Sequence, residues 1–472
     1  MVPANFANIL SIKKGCFGTL FLLMEIVNSF TREVMSKNKN LIAIITMCFI
    51  FAMISFVTNM GAPFGNVWGQ SYPFAKAWGN LMNFVAYLFM GIPAGKMLVK
   101  YGYKKTALIA LVVGIVGLLF QYLSSLVGES TEVFVYSNYE LSEWIDGIKQ
   151  TRTENIHVML NLFIYLLGAF ICGFCVCMLN TVVNPMLNLL GGGGNKGNQY
   201  IQIGGTLNSL TATLTPLLAG LLVGEVTKET SMSDVSPLLF IGIGVFAISF
   251  VIVKMVSIPE PNLGKEQVKY ERSPLAFRHC LLGVIAIFFY VGIEIGIPME
   301  LNFYITDYTK GSAAIGGTLA ASYWIMMLVG RASSSALSGK VSTRIQLISV
   351  SSLAIILLLI SILMPESSTF VVSDKEIPLK CIFIAACGLC TSLMWGGIFN
   401  LSVEGLGKYT EAASGIFMTF VVGGGIMPLI QDAIASSAGH ITSYWLVIGM
   451  LAYILYYGLI GCKNVNKDIA VD

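Results

Sequence analysis

The sequence predicts an all-α membrane protein of twelve transmembrane helices arranged as two six-helix halves. Three features carry that expectation. First, 56% of the 472 residues are hydrophobic and only 11% are charged, against the roughly 25% charged of a soluble domain. Second, apolar runs of about 20 residues, the length that crosses a bilayer as a helix, recur along the chain and leave no stretch for a separate soluble domain. Third, the chain repeats itself. Asn184-x5-Leu190-Gly191 returns as Asn400-x5-Leu406-Gly407, Pro216-Leu217-Leu218 as Pro428-Leu429-Ile430, and Gly95-Lys96 as Gly339-Lys340. Each match alone is weak, but three in the same order and in equivalent helices argue for two parallel halves.

In chain order, residues 1–40 form an N-terminal extension. Phe17 to Phe30 is apolar but too short to span, is interrupted by Glu25, and lacks the cleavage site of a signal peptide. Met35-Ser-Lys-Asn-Lys-Asn reads as a natural cytoplasmic start, so residues 1–34 are expected to be a mis-assigned upstream extension. Twelve spans follow, at 41–66, 77–98, 106–127, 157–184, 200–224, 237–256, 279–304, 314–338, 343–364, 378–400, 411–437 and 440–461. Residues 41–256 are the N-terminal half and 279–461 the C-terminal half. The charged segment 257–278 links them on the cytoplasmic side, and 462–472 is a short cytoplasmic tail. From residue 31 on, nineteen Lys and Arg fall on the side of the termini and seven on the other, which predicts that both termini are cytoplasmic. A bacterial cytoplasmic (inner) membrane is the expected location. The acidic connector 128–156 reads as a solvated, partly helical cap.

The stretch from Asn180 to Gly191 is polar at the wrong depth for a simple loop. The apolar run Leu160 to Leu179 carries Asn180 and Asn184 into the bilayer on a helix that Pro185 bends. Amides in hydrocarbon need partners, so this stretch predicts a polar cavity inside the bundle. Other readings fall away. Cys172-x-x-Cys175-x-Cys177 has no second ligand pair at zinc spacing and reads as small residues at a helix contact. Gly191 to Gly194 follow no strand and precede no Gly-Lys-Ser/Thr, so they read as a flexible connector rather than a nucleotide loop. His157, His279 and His440 are scattered at helix ends with no paired nucleophile, which speaks against an enzyme. No cofactor, metal or nucleic acid is expected, and the lipid bilayer is the surrounding partner of a chain expected to be a monomer.

Several motifs resemble those of one family. Asn184-Pro185 with Leu190-Gly191, then Leu207-Asn208-Ser209-Leu210 and Pro216-Leu217, resemble the "ANP…VLG" and "FNSLG…PLLG" signatures of the fucose/hexose branch of the major facilitator superfamily. Ile398-Phe399 with Gly405-Leu406-Gly407-Lys408, Ser414-Gly415 and Val422-Gly423-Gly424-Gly425-Ile426 is similar to its "PTIF…GLGK…GSG…VGGGI". Gly292-Ile293-Glu294-Ile295 resembles the "GAEV", and Tyr323-Trp324 before Gly330-Arg331 the "YW…GR", of the glucose/galactose members. The resemblance implies the major facilitator fold and transport of a small sugar, a hexose above all; the coupling stays open between uniport, coupling to a cation such as sodium through Glu294, and proton coupling through Glu294. It also has departures. The branch's helix-1 aspartate and helix-4 glutamate fall at Asn59 and Asn180, amides that can bond a sugar hydroxyl but cannot titrate. Its helix-5 glutamine falls at Gly205 and its helix-10 tyrosine at Trp395, and Val99 replaces the aspartate of the helix 2–3 loop.

A sugar offers hydroxyl edges and apolar ring faces, so its site calls for amides and aromatic planes. The candidates are Asn59, Asn180, Asn184, Gln202, Asn208 and Asn400 for the edges, with Trp324, Trp395, Tyr290 and Tyr323 for the faces. Any one of these could instead be interhelical packing. Glu294 lies 13 residues after Leu281, roughly 20 Å into a core of about 30 Å. It is a candidate for the coupling ion, for substrate or for a structural hydrogen bond, and Asp432 is a lesser coupling candidate. Glu300 reads as a surface group, and Arg331, Lys340 and Arg344 as the inner loop between spans 8 and 9. A transporter of another small polar solute, or a sensor built like a transporter, remains the alternative.

Overall fold

The computed structural model describes residues 40–75, 78–145, 148–223, 230–260, 272–309, 313–337, 341–372 and 375–466. The proposed extension 1–34, Lys340 and linker residues 261–271 lie outside them. Helix α1 (Asn40–Asn59) turns at Met60 into α2 (Gly61–Ser71). There follow α3 (Trp78–Leu123), the hairpin β1 (Glu132–Ile145) and β2 (Ile148–Met159), then α4 (Leu160–Leu190), α5 (Gly194–Val223) and α6 (Ser236–Met255). The second half comprises α7 (Arg278–Tyr308), α8 (Ala313–Leu337), α9 (Thr343–Leu363), a short hairpin β3 (Thr369–Val372) and β4 (Lys375–Pro378), α10 (Lys380–Thr391), α11 (Met394–Val403), α12 (Thr410–Thr419), α13 (Gly423–Ala438) and α14 (His440–Tyr456).

Among the described residues, nine helical stretches are long and apolar enough to cross a membrane. One of them, α3, is 46 residues long, about 69 Å at 1.5 Å per residue, and is therefore two passages. With α5 and α8, whose polar faces line the interior, the count of passages is twelve. The break in α3 is at Gly102, where φ is +80°, a conformation that glycine adopts without a Cβ penalty. The carboxylate of Glu260 sits against that glycine and accepts from the backbone N–H groups of Tyr103 (2.8 Å) and Lys104 (2.7 Å), capping the third passage.

Both hairpins lie on the face opposite the one where α1 begins and α14 ends. We call these the hairpin face and the terminal face. The connector 128–156 is thus a β-hairpin and not a helical cap. Val133, Val135, Ile156 and Val158 supply β-branched residues on alternate positions, which favour extended chain over helix. Phe74 stacks on Tyr136 at 5.6 Å, and the Met159 N–H donates to the Tyr72 hydroxyl at 3.3 Å, seating the hairpin on the end of the first span.

Lipid-facing stripes are apolar and exposed, as Ile109, Val112, Val116 and Leu119 on α3 and Leu353, Ile356 and Ile360 on α9 illustrate at helical spacing. Packing inside the bundle relies on small residues. A Cβ added at Gly114 or Gly117 would meet the sulfur of Cys175 at 2.7 Å or Cys172 at 2.6 Å, so the three-cysteine run of α4 is a contact ridge against α3.

The halves meet through α3 on α12 and α5 on α8 and α11. Gly95 and Gly415 bring two backbones together, since a Cβ on Gly95 would lie 2.9 Å from the Gly415 Cα. Asn195 at the start of α5 accepts from the Thr343 backbone N–H at 3.2 Å at the start of α9. Nearer the start of α3, Leu81 and Phe84 also lie against Gly425 and Gly424 of α13. Gly415→Val is expected to force α3 and α12 apart and lower the melting temperature in detergent, at a cost of about 1–3 kcal/mol. Gly449→Ala, into open space, should leave it unchanged. Equal melting temperatures for the two variants would refute the close approach.

Candidate substrate cavity

Between the halves lies a cavity with about 920 Å³ of empty space, its open mouth included. It exists because several helices are interrupted at mid-depth. The tenth passage breaks between α10 and α11 at Ser392 and Leu393, and the eleventh passes through a 3-10 turn at Phe420–Val422 between α12 and α13. Irregular backbone at such depth is tolerated where protein or a wet cavity satisfies it. Here the Ser392 carbonyl accepts from Arg331 Nε at 3.4 Å and the Leu393 carbonyl from Gln202 Nε2 at 3.2 Å.

Five of the amide and indole candidates from the N-terminal half and the tenth passage line the cavity: Asn59, Asn180, Gln202, Asn208 and Trp395. Trp324 lines it from α8. Asn59 Nδ2 donates to the Ser55 carbonyl at 2.8 Å, and Asn180 Nδ2 donates to the Tyr87 hydroxyl at 3.0 Å. Asn208 Nδ2 donates to the Phe51 carbonyl at 2.9 Å.

The other candidates stand elsewhere. Asn184 is fully buried behind the wall, where its Nδ2 donates to the Asn180 carbonyl and its Oδ1 accepts from Trp395 Nε1 at 3.0 Å. It fixes the indole instead of meeting the cavity. Asn400 is buried at the terminal face beside Thr343, in a separate pocket, and Asp432 is half-buried on α13 and does not line the cavity. Tyr290 and Tyr323 are fully buried behind the indoles. The Tyr323 hydroxyl is 2.8 Å from Thr391 Oγ1, and the Tyr290 ring centroid is 6.2 Å from that of Trp395.

The residue that sequence reasoning misplaced is Arg331. It belongs to the cavity wall and not to a loop, and it is the hub of the site. Its Nη2 pairs with Glu294 Oε1 at 3.1 Å. Its Nη1 donates to Ser209 Oγ (2.7 Å), the Gly205 carbonyl (3.2 Å) and Asn208 Oδ1 (3.2 Å). One guanidinium thus joins α7, α8 and α10 of one half to α5 of the other. Both partners of the pair are largely buried, with side chains 10% and 15% exposed. They are the only charged side chains among the described residues lining the cavity. Gly205 makes room for this: a Cβ there would already lie 3.4 Å from Arg331 Cδ. Arg344, by contrast, bonds the Gly458 and Leu459 carbonyls at the end of α14 (2.9 and 2.6 Å).

Comparison with known proteins now has a geometry to meet. The Major Facilitator Superfamily profile matches residues 41–428. The chain belongs to the Major Facilitator Superfamily. It is 28% identical over 392 residues to a glucose/galactose transporter of Brucella abortus, covering 81% of this chain and 84% of that one. It is 21% identical over 367 residues to the L-fucose-proton symporter of Escherichia coli, covering 72% and 79%. The crystal structure of the superfamily transporter FucP in the outward conformation superposes with a TM-score of 0.71 at 17% identity, covering 90% of this chain and all of that one. The protein is therefore a membrane transporter by family and fold, not an enzyme, with the twelve-helix architecture of the superfamily.

The buried pair makes an asymmetric prediction. Glu294→Leu strands a guanidinium that cannot deprotonate, whereas Arg331→Met strands a carboxyl that can take up a proton. The first is expected to lower stability in detergent denaturation by on the order of 3–5 kcal/mol, the second by less, and the double variant should recover most of the loss. Additive losses in the double variant would contradict the pairing.

Proposed function

We propose that the protein imports a small sugar, a hexose above all, across a bacterial cytoplasmic membrane by alternating exposure of the central cavity. The observation that carries this reading is the pairing, in one cavity between the halves, of amides (Asn59, Asn180, Gln202, Asn208) with two indoles (Trp324, Trp395). Amides suit hydroxyl edges and indoles suit the apolar faces of a pyranose. The glucose, galactose and fucose in the names of the relatives support the same substrate class.

The basic residues gathered on the terminal face make it the cytoplasmic one. Alternating access requires the contacts between the halves to rearrange on each side of the cavity in turn. For the halves to part there, the bonds from Arg331 to α5 must break.

Coupling follows from the same pair. Asn59 and Asn180 cannot titrate, which leaves Glu294 as the carboxyl in contact with the cavity. A proton entering from outside neutralises it, removes the counter-charge that makes a buried guanidinium tolerable, and favours withdrawal of Arg331 from α5. Sugar hydroxyls compete for Asn208, the same residue that Arg331 holds. Proton and sugar together then release that contact, and neither alone does so.

Reconstitution in liposomes tests the reading. Labelled hexose should accumulate above equilibrium under an inward proton gradient and only equilibrate without one. Absence of hexose uptake under any gradient would overturn the substrate class, and accumulation driven by sodium alone would overturn the proton. Glu294→Gln is expected to retain equilibrating exchange and lose accumulation; full accumulation by this variant would place coupling elsewhere. Trp395→Ala should weaken sugar binding by about 1–3 kcal/mol, and unchanged affinity would remove the indole from the site.

A further inference from the structure

A second ionisable centre lies outside the cavity. Glu300, on α7, is fully buried with 0% exposure, contrary to its expected place at the surface. Its Oε1 is 2.5 Å from His440 Nδ1 at the start of α14. Six residues separate Glu300 from Glu294, which is about 9 Å along the helix and roughly 240° around it. Glu300 therefore points to the other side of α7, into the contact with α13 and α14. No common wall joins it to the sugar cavity.

Two oxygens at this contact are buried and lack a hydrogen-bond partner among the described residues: Glu300 Oε2 and Gln431 Oε1. Gln431 is also 0% exposed. Its oxygen lies against Gly296, one turn of α7 before Glu300, while its Nε2 donates to Ser443 Oγ at 3.4 Å. A carboxylate oxygen from α7 and an amide oxygen from α13, both acceptors and both without a donor, each cost free energy until a donor arrives. His440 supplies the route. Its side chain is 24% exposed, at the hairpin-face end of α14, while the carboxyl it touches is sealed.

We infer that Glu300 and His440 form a second proton-binding site, loaded from the hairpin face and separate from the sugar cavity. With one proton, shared between Nδ1 and Oε1, the dyad is neutral overall. A second proton taken from bulk water yields imidazolium beside a neutral carboxylic acid, and the acid O–H is the donor that the buried acceptors lack. The site thereby ties the packing of α7 on α13 and α14 to the acidity outside.

The surrounding ionisable groups are already engaged or displaced from it. On α7, Tyr304 donates to Glu366 Oε1 (3.2 Å), and its ring centroid is 6.0 Å from that of His440. On α14, the Tyr444 hydroxyl donates to the Ile297 carbonyl (3.2 Å). At the start of α10, Lys380 pairs with Glu366 (3.6 Å) and Cys381 is fully buried. On α13, Asp432 is half-buried next to Gln431 in sequence. Glu300 Oε2 is left without a partner by all of them.

The test is infrared difference spectroscopy of the full chain in lipid during acid titration, with and without sodium. It needs no substrate, so it stands whether or not the protein carries a hexose. A carboxylic-acid C=O band should grow on acidification, persist in Glu294→Gln and vanish in Glu300→Gln. His440→Phe should retain the band and move its midpoint, because the imidazole that touches the carboxyl is gone; this variant decides the matter if Glu300→Gln does not fold. A band independent of Glu300, a midpoint unmoved in His440→Phe, or suppression of the Glu300 band by sodium would each overturn the proton site.

Discussion

A guanidinium inside a membrane cannot shed its charge, so it must be given partners, and in this protein the provision of partners for Arg331 shapes the middle of the molecule. Glu294 supplies the counter-charge from α7. Helix α5 supplies a hydroxyl, an amide oxygen and a backbone carbonyl, and the break between α10 and α11 supplies another carbonyl. Four elements from two halves are held by one side chain. A charge so fully coordinated favours one arrangement of the halves over others, because moving either half leaves donors unpaired in a low-dielectric interior.

The same constraint explains features that look like defects in regular helices. The Ser392–Leu393 break costs the tenth passage its continuity, yet the carbonyls there are met: that of Ser392 accepts from Arg331, and that of Leu393 from Gln202 and from the Gly397 N–H. Gly205 carries no side chain where the fucose/hexose branch has a glutamine, and the Arg331 shaft passes beside it. In this chain the charged side chains lining the cavity among the described residues, Glu294 and Arg331, come from the seventh and eighth passages, and the first and fourth passages contribute the amides Asn59 and Asn180. Gly95 and Gly415 allow two backbones to touch where α3 meets α12, a second contact between the halves beside the one Arg331 makes from α8 to α5.

Much of this was legible in the sequence because lipid imposes simple rules. Twelve apolar runs gave twelve passages, and polar residues at the wrong depth, Asn180 above all, announced the cavity. Relations between distant residues were harder to see. Nothing local in Asn184 says that its partner is the indole of Trp395, on the tenth passage, so it looked like a ligand when it is a brace. Arg331 lies seven residues before the end of its expected span, 314–338, and that depth should have outweighed its resemblance to a loop cation. Glu300 looked like a surface acid because its partner, His440, is 140 positions away. The hairpin at 132–159 was hidden by its charge, which drew attention from the alternation of β-branched residues.

The central claim is that Arg331, bonded to α5, holds the two halves together. It can be measured as a distance. All nine cysteines among the described residues are buried, so exposed cysteines introduced as Lys100→Cys and Lys463→Cys, one in each half on the terminal face, can be spin-labelled selectively once Cys16 is replaced by serine. Double electron–electron resonance in lipid should then give one short distance with Arg331 intact and a second, longer population with Arg331→Met. An identical distance distribution in the two proteins would contradict the account.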